Sequence, residues 1–302
     1  MDRSSNLISQ RFKKLLTYLL VLLGVNQSCF AQSLEKDSVN KKRLSTLIVG
    51  TSTAYTATMI GLHQVWYSSF DKQPFTFFND SKEWFQMDKA GHAYSTFQIS
   101  QFGSNALQWT GLSKKKSDRI AVLSSFIMVS SIEMFDGYST GYGASASDLI
   151  ANALGGSLYL GQQMLWNEIR IHPKFSFHQT NLANQRPALL GSNLGQEIIK
   201  DYNGQTYWLS FDMDKFTPFP KRLNSAIGYG GHEMVYANKE EGIANGYAPY
   251  RQLYFSIDFD LTGVRTNSRG IKALLYIANM IKLPSPTLEI SQGRLKSHAF
   301  YF

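Results

Sequence analysis

The sequence predicts an α+β protein: an apolar four-helix bundle followed by a small antiparallel β-sheet with one short helix. Three observations carry this. Four apolar stretches lie between residues 44 and 170, each long enough for a helix and too long for an ordinary strand. From about His172 the texture changes to short runs rich in aromatic and β-branched residues. One of these, Arg251 to Leu261, alternates cleanly: Leu253, Phe255, Ile257, Phe259 and Leu261 share one face, and Gln252, Tyr254, Ser256, Asp258 and Asp260 the other.

Residues 1–31 read as a signal peptide. Arg11, Lys13 and Lys14 form a basic n-region, Leu15 to Val25 an apolar h-region, and Cys29-Phe30-Ala31 places small residues at −3 and −1 of a cleavage before Gln32. The apolar run falls short of the roughly 20 residues a span requires, and an uncleaved anchor is the alternative. Cys29 is the single cysteine of the chain, and Asn26-Gln27-Ser28 before it fits lipid modification poorly. Simple cleavage then leaves no cysteine, excluding a disulfide framework or a thiolate metal site.

Residues 32–43 are polar and read as a mobile mature N-terminus. The bundle, residues 44–170, comprises Leu44 to Trp66, Asp88 to about Thr110, about Ser117 to Phe135, and about Ser145 to Ile169. The first is rich in small residues, which allow close helix approach. The aromatic stretch from Trp66 to Phe85 is either an amphipathic segment at a membrane interface or a loop tucking its rings under the bundle. The β region, residues 171–302, contains strands at Tyr207–Phe211, Asn224–Ala237, Arg251–Leu261, Leu288–Ile290 and Ser297–Phe302, with a helix at Ile271–Ile281 that Pro284 and Pro286 end. About five strands are too few for a bacterial outer-membrane barrel, which needs about 8.

The chain of 302 residues is 43% hydrophobic and only 17% charged, which suits a large core or a membrane-associated surface and argues against disorder. Residues 1–31 hold a net +3 (Asp2 against Arg3, Arg11, Lys13 and Lys14), so the cleaved chain keeps +5 of the total +8. That excess is thin, clustered only at Lys41-Lys42-Arg43 and Lys114-Lys115-Lys116. Nothing resembles a nucleic-acid module. A membrane surface or envelope lipid is the expected partner. Threaded through an inner membrane behind a signal, both basic clusters fall outside, against the positive-inside tendency. The periplasm or the outer membrane is the expected location, with the inner membrane as the alternative.

Three polar signatures interrupt the apolar helices: Asp88-Lys89-Ala-Gly-His92, Glu133-Met-Phe-Asp136-Gly137, and Ser147-Asp148-Leu-Ile-Ala-Asn152-Ala-Leu-Gly155. Ionisable groups in buried helices are costly unless paired, hydrogen-bonded or metal-bound. Asp88 and His92, at i and i+4, share a face on which a carboxylate can orient an imidazole as general base or ligand. Equally, Asp88 can be an N-cap and His92 a bonded core residue. Glu133 and Asp136 can bind a cation or share a proton, or Asp136-Gly137 simply turns the chain out of its helix. Ser145-Ala-Ser-Asp148 matches a capping box, which accounts for Asp148 but not for Asn152. The set Asp88, His92, Glu133 and Asp136 suits a divalent metal (Mg²⁺, Mn²⁺, Ca²⁺ or Zn²⁺). Gly137-Tyr-Ser139-Thr-Gly141 matches the G-x-S-x-G pattern, but that pattern has meaning only on a strand–turn–helix elbow.

At these residues the chain resembles the YfiM-like family of predicted periplasmic lipoproteins, whose function is unknown. The matching segments are Asp88-Lys89-Ala-Gly-His92-Ala-Tyr, Glu133-Met-Phe-Asp136-Gly137 and Gly143-Ala-Ser145-Ala-Ser147-Asp148-Leu-Ile-Ala-Asn152, with Tyr207-Trp208-Leu-Ser and Pro220 to Gly230 similar to longer members. The resemblance implies an envelope location and no known activity; the weak lipobox at Cys29 departs from it. A looser likeness is to VanZ-like membrane proteins, in the order Asp88-Lys89-x-x-His92, Glu133, Asp148-x-x-x-Asn152-x-x-Gly155, with Asp136 where that family tends to have Gln. It implies a bundle with a polar centre and transfers no mechanism.

Two readings follow. One is an envelope protein of structural or binding type, its helices locked by the polar network. The other is a metal-assisted enzyme on a lipid-linked or cell-wall substrate, with His92 and Glu133 as catalytic residues.

Overall fold

The computed structural model describes residues 38–67 and 70–302. The predicted signal peptide, with Cys29, lies outside the described residues. Of the segment expected to be mobile, Ser38 to Arg43 are ordered by contacts: Asn40 caps the first helix by accepting from Arg43 N, and its own N–H donates to Thr110 O at 2.8 Å.

Four long helices match the expected positions: α1 Lys41–Leu62, α2 Met87–Trp109, α3 Lys114–Ser130, continued after a break at Ser131 by α4 Ile132–Gly137, and α5 Ala146–Trp166. They do not form the expected four-helix bundle. Helices α2, α3 and α5 pack on one another, whereas α1 buries no residue and is tied at few points, among them Arg43 to Trp109 O and Tyr55 to Ser131. Threonines and serines on most sides of α1 leave it no apolar stripe for the others to cover.

The interior of the α2–α3–α5 unit is polar. Thr96, Ser100 and Ser104 stack along one face of α2 and are fully buried. Ser100 meets Ser125 of α3 at 2.5 Å, and Ser104 and Tyr159 both donate to Asp118 at 2.6 Å. Small hydroxyls permit close approach while supplying hydrogen bonds between helices. The closest crossing is at Gly155 of α5, where a Cβ would lie 2.1 Å from Ala93 O of α2.

The aromatic stretch after α1 is mostly loop, with short helical turns at its two ends. Phe75 lies over Gly137, Phe70 over Gly141, and the short strand β1 Phe77–Phe78 pairs in parallel with β2 Ala144–Ser145.

The β region is larger than expected. Six antiparallel strands form one meander in sequence order: β3 Ile171–Phe177, β4 Gln205–Phe211, β5 Leu223–His232, β6 Tyr250–Phe259, β7 Ser285–Ser291 and β8 Arg294–Tyr301. Besides α9 Arg269–Asn279, which matches the predicted helix, the short helices α6 Pro187–Leu190, α7 Leu194–Lys200 and α8 Lys239–Ala244 occupy the loops, so the expectation of a single helix here is corrected. The missed strand, β3, contains Pro173 and Lys174, which disguise it; as an edge strand it tolerates proline.

The sheet curls strongly. Ile281 bridges Phe175 on β3, and β7 begins at Ser285, four residues on. Four residues reach at most about 14 Å, so β3 lies close to the start of the last hairpin, β7–β8. Inside the curl lie Trp208, Tyr254, Lys174, Asp258 and Lys282, all but inaccessible. Lys174 Nζ pairs with Asp258 at 2.6 Å, and Lys282 sits 3.8 Å from the same carboxylate and over the Trp208 ring. Gly228, opposite both Trp208 and Tyr254, leaves room for the indole: a Cβ there would meet it at 2.6 Å. The alternation of β6 is thus inverted relative to a soluble sheet, with Leu253, Phe255, Ile257 and Phe259 outside and Tyr254 and Asp258 inside. The curl docks on the helices through Phe175 and Tyr207, whose rings stack with Tyr94 of α2.

Candidate functional site

The three polar signatures converge at one end of the helical unit. Asp88 and Lys89 are placed by an unusual entry to α2: Trp84, Phe85 and Gln86 all have positive φ (47°, 50° and 65°), a conformation disfavoured for side-chain-bearing residues. It is held by burial of Phe85 and Met87 against Met234, and by Trp84 N donating to Ala237 O. Glu133 and Asp136 project from α4 after the break at Ser131. Asp148 and Asn152 project from the first turns of α5, whose N-cap Ser145 accepts from Asp148 N at 3.1 Å; the return arm of the expected capping box is not made, because Ser145 N donates to Glu133 Oε2.

Two linked groups result. In the first, Lys89 Nζ gathers three carboxylates: Asp80 at 2.5 Å, Asp88 at 2.7 Å and Asp148 Oδ1 at 3.2 Å. Asp80 also accepts from the hydroxyls of Ser145 and Ser147. Burial works against its charge, but the Lys89 ammonium and the two hydroxyls outweigh this and hold the carboxyl below the ordinary range. Glu83 beside it moves the other way, raised by burial and the charge of Asp80.

The second group is His92, Glu133, Asp148 and Asn152. Asn152 Nδ2 donates to Ser130 at 3.1 Å, so its Oδ1 faces His92 Nδ1 at 3.0 Å. With Nδ1–H donating to that oxygen, Nε2 is the ring atom turned toward the carboxylates, a lone pair in a neutral ring and a donor in an imidazolium. Nε2 points at Glu133 Oε1, 3.8 Å away, and Asp148 Oδ2, 4.0 Å away. Both are too far for a direct hydrogen bond. Glu133 is 3% exposed; its Oε2 accepts from Ser145 N at 2.7 Å, while its Oε1 has no hydrogen-bond donor among the described residues. Three electron-pair donors, each within 4.8 Å of the others, therefore face one small space.

The other expected residues fall nearby. Asp88 does not orient His92: its oxygens are taken by Lys89, and Asn152 does that work instead. Asp136 accepts from Tyr67 OH at 2.7 Å rather than joining Glu133. Tyr67 in turn walls a cleft of about 490 Å³ lined by His63, Phe70, Phe135 and Tyr138 among others. Ser139 sits in a turn after α4 and not between a strand and a helix, so the nucleophile elbow is absent there. Sequence reasoning missed Asp80, Tyr67, Ser130 and Ser145 as partners. The capping pattern pointed at Ser145; the other three carry no local signal.

No curated protein and no solved structure matches the chain. A family model described as predicted periplasmic lipoprotein (DUF2279) matches residues 76–161, a segment that runs from β1 into α5 and holds every residue of both groups. Over that segment the chain is similar to this family, which supports an uncharacterised protein of the cell envelope with a periplasmic setting.

Proposed function

We propose that the chain is a cation-binding protein of the bacterial outer membrane, with His92 Nε2, Glu133 and Asp148 as the protein ligands of a divalent ion. The observation that carries this is His92 Nε2, turned inward to the site by Asn152 and facing the buried Oε1 of Glu133, which has no hydrogen-bond partner among the described residues. Buried acceptors that face one another need a proton or a cation among them, and a divalent cation is the occupant this reading assigns. A divalent ion bound at about 2.0–2.2 Å from each ligand spans separations of this size, and a mixed imidazole–carboxylate set suits Zn²⁺ or Mn²⁺. Asn152 and Ser130 then serve as the outer partners that fix the ligand histidine. The outer-membrane assignment rests on the signal-like N-terminus and on the two basic clusters, which lie together at the end opposite the site. Asn40 N bonds Thr110 O at 2.8 Å, four residues before the second cluster begins at Lys114.

Metal content of purified protein tests the centre. The wild-type chain retains close to one equivalent of divalent metal after dialysis, His92→Ala and Glu133→Gln do not, and Asp136→Asn does. Equal metal in wild type and Glu133→Gln, or none in either, rejects it.

A metal-assisted reaction on a lipid-linked substrate is the second reading. The cleft beside Tyr67, largely apolar and separated from the centre by the Tyr67–Asp136 bond, is the observation that favours it.

A further inference from the structure

We propose that the chain spans the bilayer of the outer membrane, with helices and strands together forming the wall that acyl chains cover. The inference rests on the envelope placement and not on the cation.

The first support is the polarity of the molecule. Among the described residues, polar side chains outnumber hydrophobic ones about two to one in the buried set, while forty large hydrophobic side chains are exposed. Single exposed apolar residues are ordinary, but soluble monomers rarely carry large continuous apolar surfaces. Here the exposed set runs around the molecule. It includes Ile127 on α3, Leu165 (76% exposed) on α5, Ile257 on β6, Leu274 on α9 and Phe300 (77%) on β8. Inside are the serine and aspartate contacts of the helices and the Lys174–Asp258 pair of the curled sheet. Water favours the opposite arrangement on both counts; a hydrocarbon solvent favours this one.

The second support is where charge occurs. No Asp, Glu, Lys or Arg lies within Leu44–Leu62, Ala90–Trp109, Ile120–Ile132 or Leu149–Trp166. On the strands, Lys174, Asp258 and Glu289 are buried. Several of the remaining charges gather toward two opposite ends. At one end stand the lysines of the first turns of α1 and α3, and Glu168, Arg170 and Lys215, linked by Asp212 N to Arg170 O and by Lys215 to Glu168. At the other end stand Asp80, Glu83, Lys89 and Arg251, with the α8 charges, linked by Asn238 to Glu83 and by Arg251 to Gln86.

The third support is length. Among the described residues one helical run, Lys114–Gly137 through α3 and α4, is both long and apolar enough to cross a membrane; α2, with 23 residues, and α5, with 21, reach the length alone, about 32–35 Å at 1.5 Å per residue against a hydrocarbon core of about 30 Å. Strands β5 and β6 have ten residues each, as a tilted spanning strand requires. Aromatic–arginine pairs mark the lysine end, where Arg43 lies over Trp109 and Arg170 over both Trp166 and Phe216. Such rings favour the headgroup level. The cation centre, at the opposite end, then lies at headgroup depth, within reach of an anionic lipid.

The test uses the full chain expressed from its own signal. Single cysteines are placed on the belt (Leu154→Cys, Phe255→Cys), at mid-helix and mid-strand exposed positions, and on the ends (Lys115→Cys, Glu240→Cys), with the wild-type chain controlling for Cys29. Outer membranes are labelled with a water-soluble maleimide before and after detergent is added. The expected result is that the end positions label in membranes, while belt positions label at least tenfold less until detergent is present. Belt and end positions labelling alike in membranes, release of the chain by alkaline carbonate, or its recovery in the inner membrane overturns the proposal. Metal content measured on the same preparations is independent of this outcome, so the two readings can fail separately.

Discussion

His92 and Lys89 stand on the same turn of α2 and solve opposite problems. Lys89 is a cation surrounded by three carboxylates, and His92 turns Nε2 toward two. Replacing Lys89 with Met leaves Asp80, Asp88 and Asp148 without a common counter-charge. Removing one partner of a buried ionic group costs about 3–5 kcal/mol, and denaturant titration in detergent is expected to show a loss of that order. Restoring balance with Asp88→Asn in the Lys89→Met background recovers part of it. Glu133→Gln is expected to behave differently: Oε2 already accepts from Ser145 N, and an amide oxygen can keep that bond. Its stability without added metal stays within about 1 kcal/mol of wild type, while its metal is lost. Of these roles the sequence marked His92, Glu133 and Asn152 as the residues that capping and turn chemistry explain least. It did not mark Asp80, which is one acidic residue in an aromatic loop and becomes a partner only through the fold.

At the scale of elements, positions were legible where local chemistry acts alone. The capping signal at Ser145 and the apolar runs placed α2 and α5 to within a residue or two of their starts, and the alternation of β6 placed that strand. Where proline and lysine interrupt the pattern, as in β3, the strand was invisible and only its neighbours define it. Two element-level predictions follow from the packing. Gly155→Leu places carbon where Ala93 O stands and is expected to separate α2 from α5, costing more than the roughly 1–3 kcal/mol of ordinary overpacking. Gly161→Ala, on the same helix with nothing within 4 Å, is expected to be neutral or stabilising by up to about 1 kcal/mol. Thermal unfolding of the two side by side separates a tight crossing from a general intolerance of side chains on α5. In the curled sheet, Asp258→Asn leaves Lys174 and Lys282 facing each other across a neutral amide. Melting of that variant is expected to fall sharply, by an amount comparable with Lys89→Met.

Across the whole molecule, the inside-out distribution of polarity is the property least visible in the sequence. Alternation shows that the faces of β6 differ; it does not say which face meets water, and only the curl of the sheet around Lys174 and Asp258 decides that. The same holds for the three signatures, whose convergence depends on the break at Ser131 and the close crossing at Gly155. A centre assembled from α2, α4 and α5 couples ion binding to the stability of the entire helical unit, since an ion that binds the folded state alone adds about 2.7 kcal/mol at a hundredfold excess over Kd. The most direct measurement is the melting temperature of the detergent-solubilised chain with and without Zn²⁺ or Mn²⁺, for wild type and Glu133→Gln. A rise of several degrees in wild type that is absent in Glu133→Gln is predicted; no rise in wild type, or an equal rise in both, contradicts the cation centre.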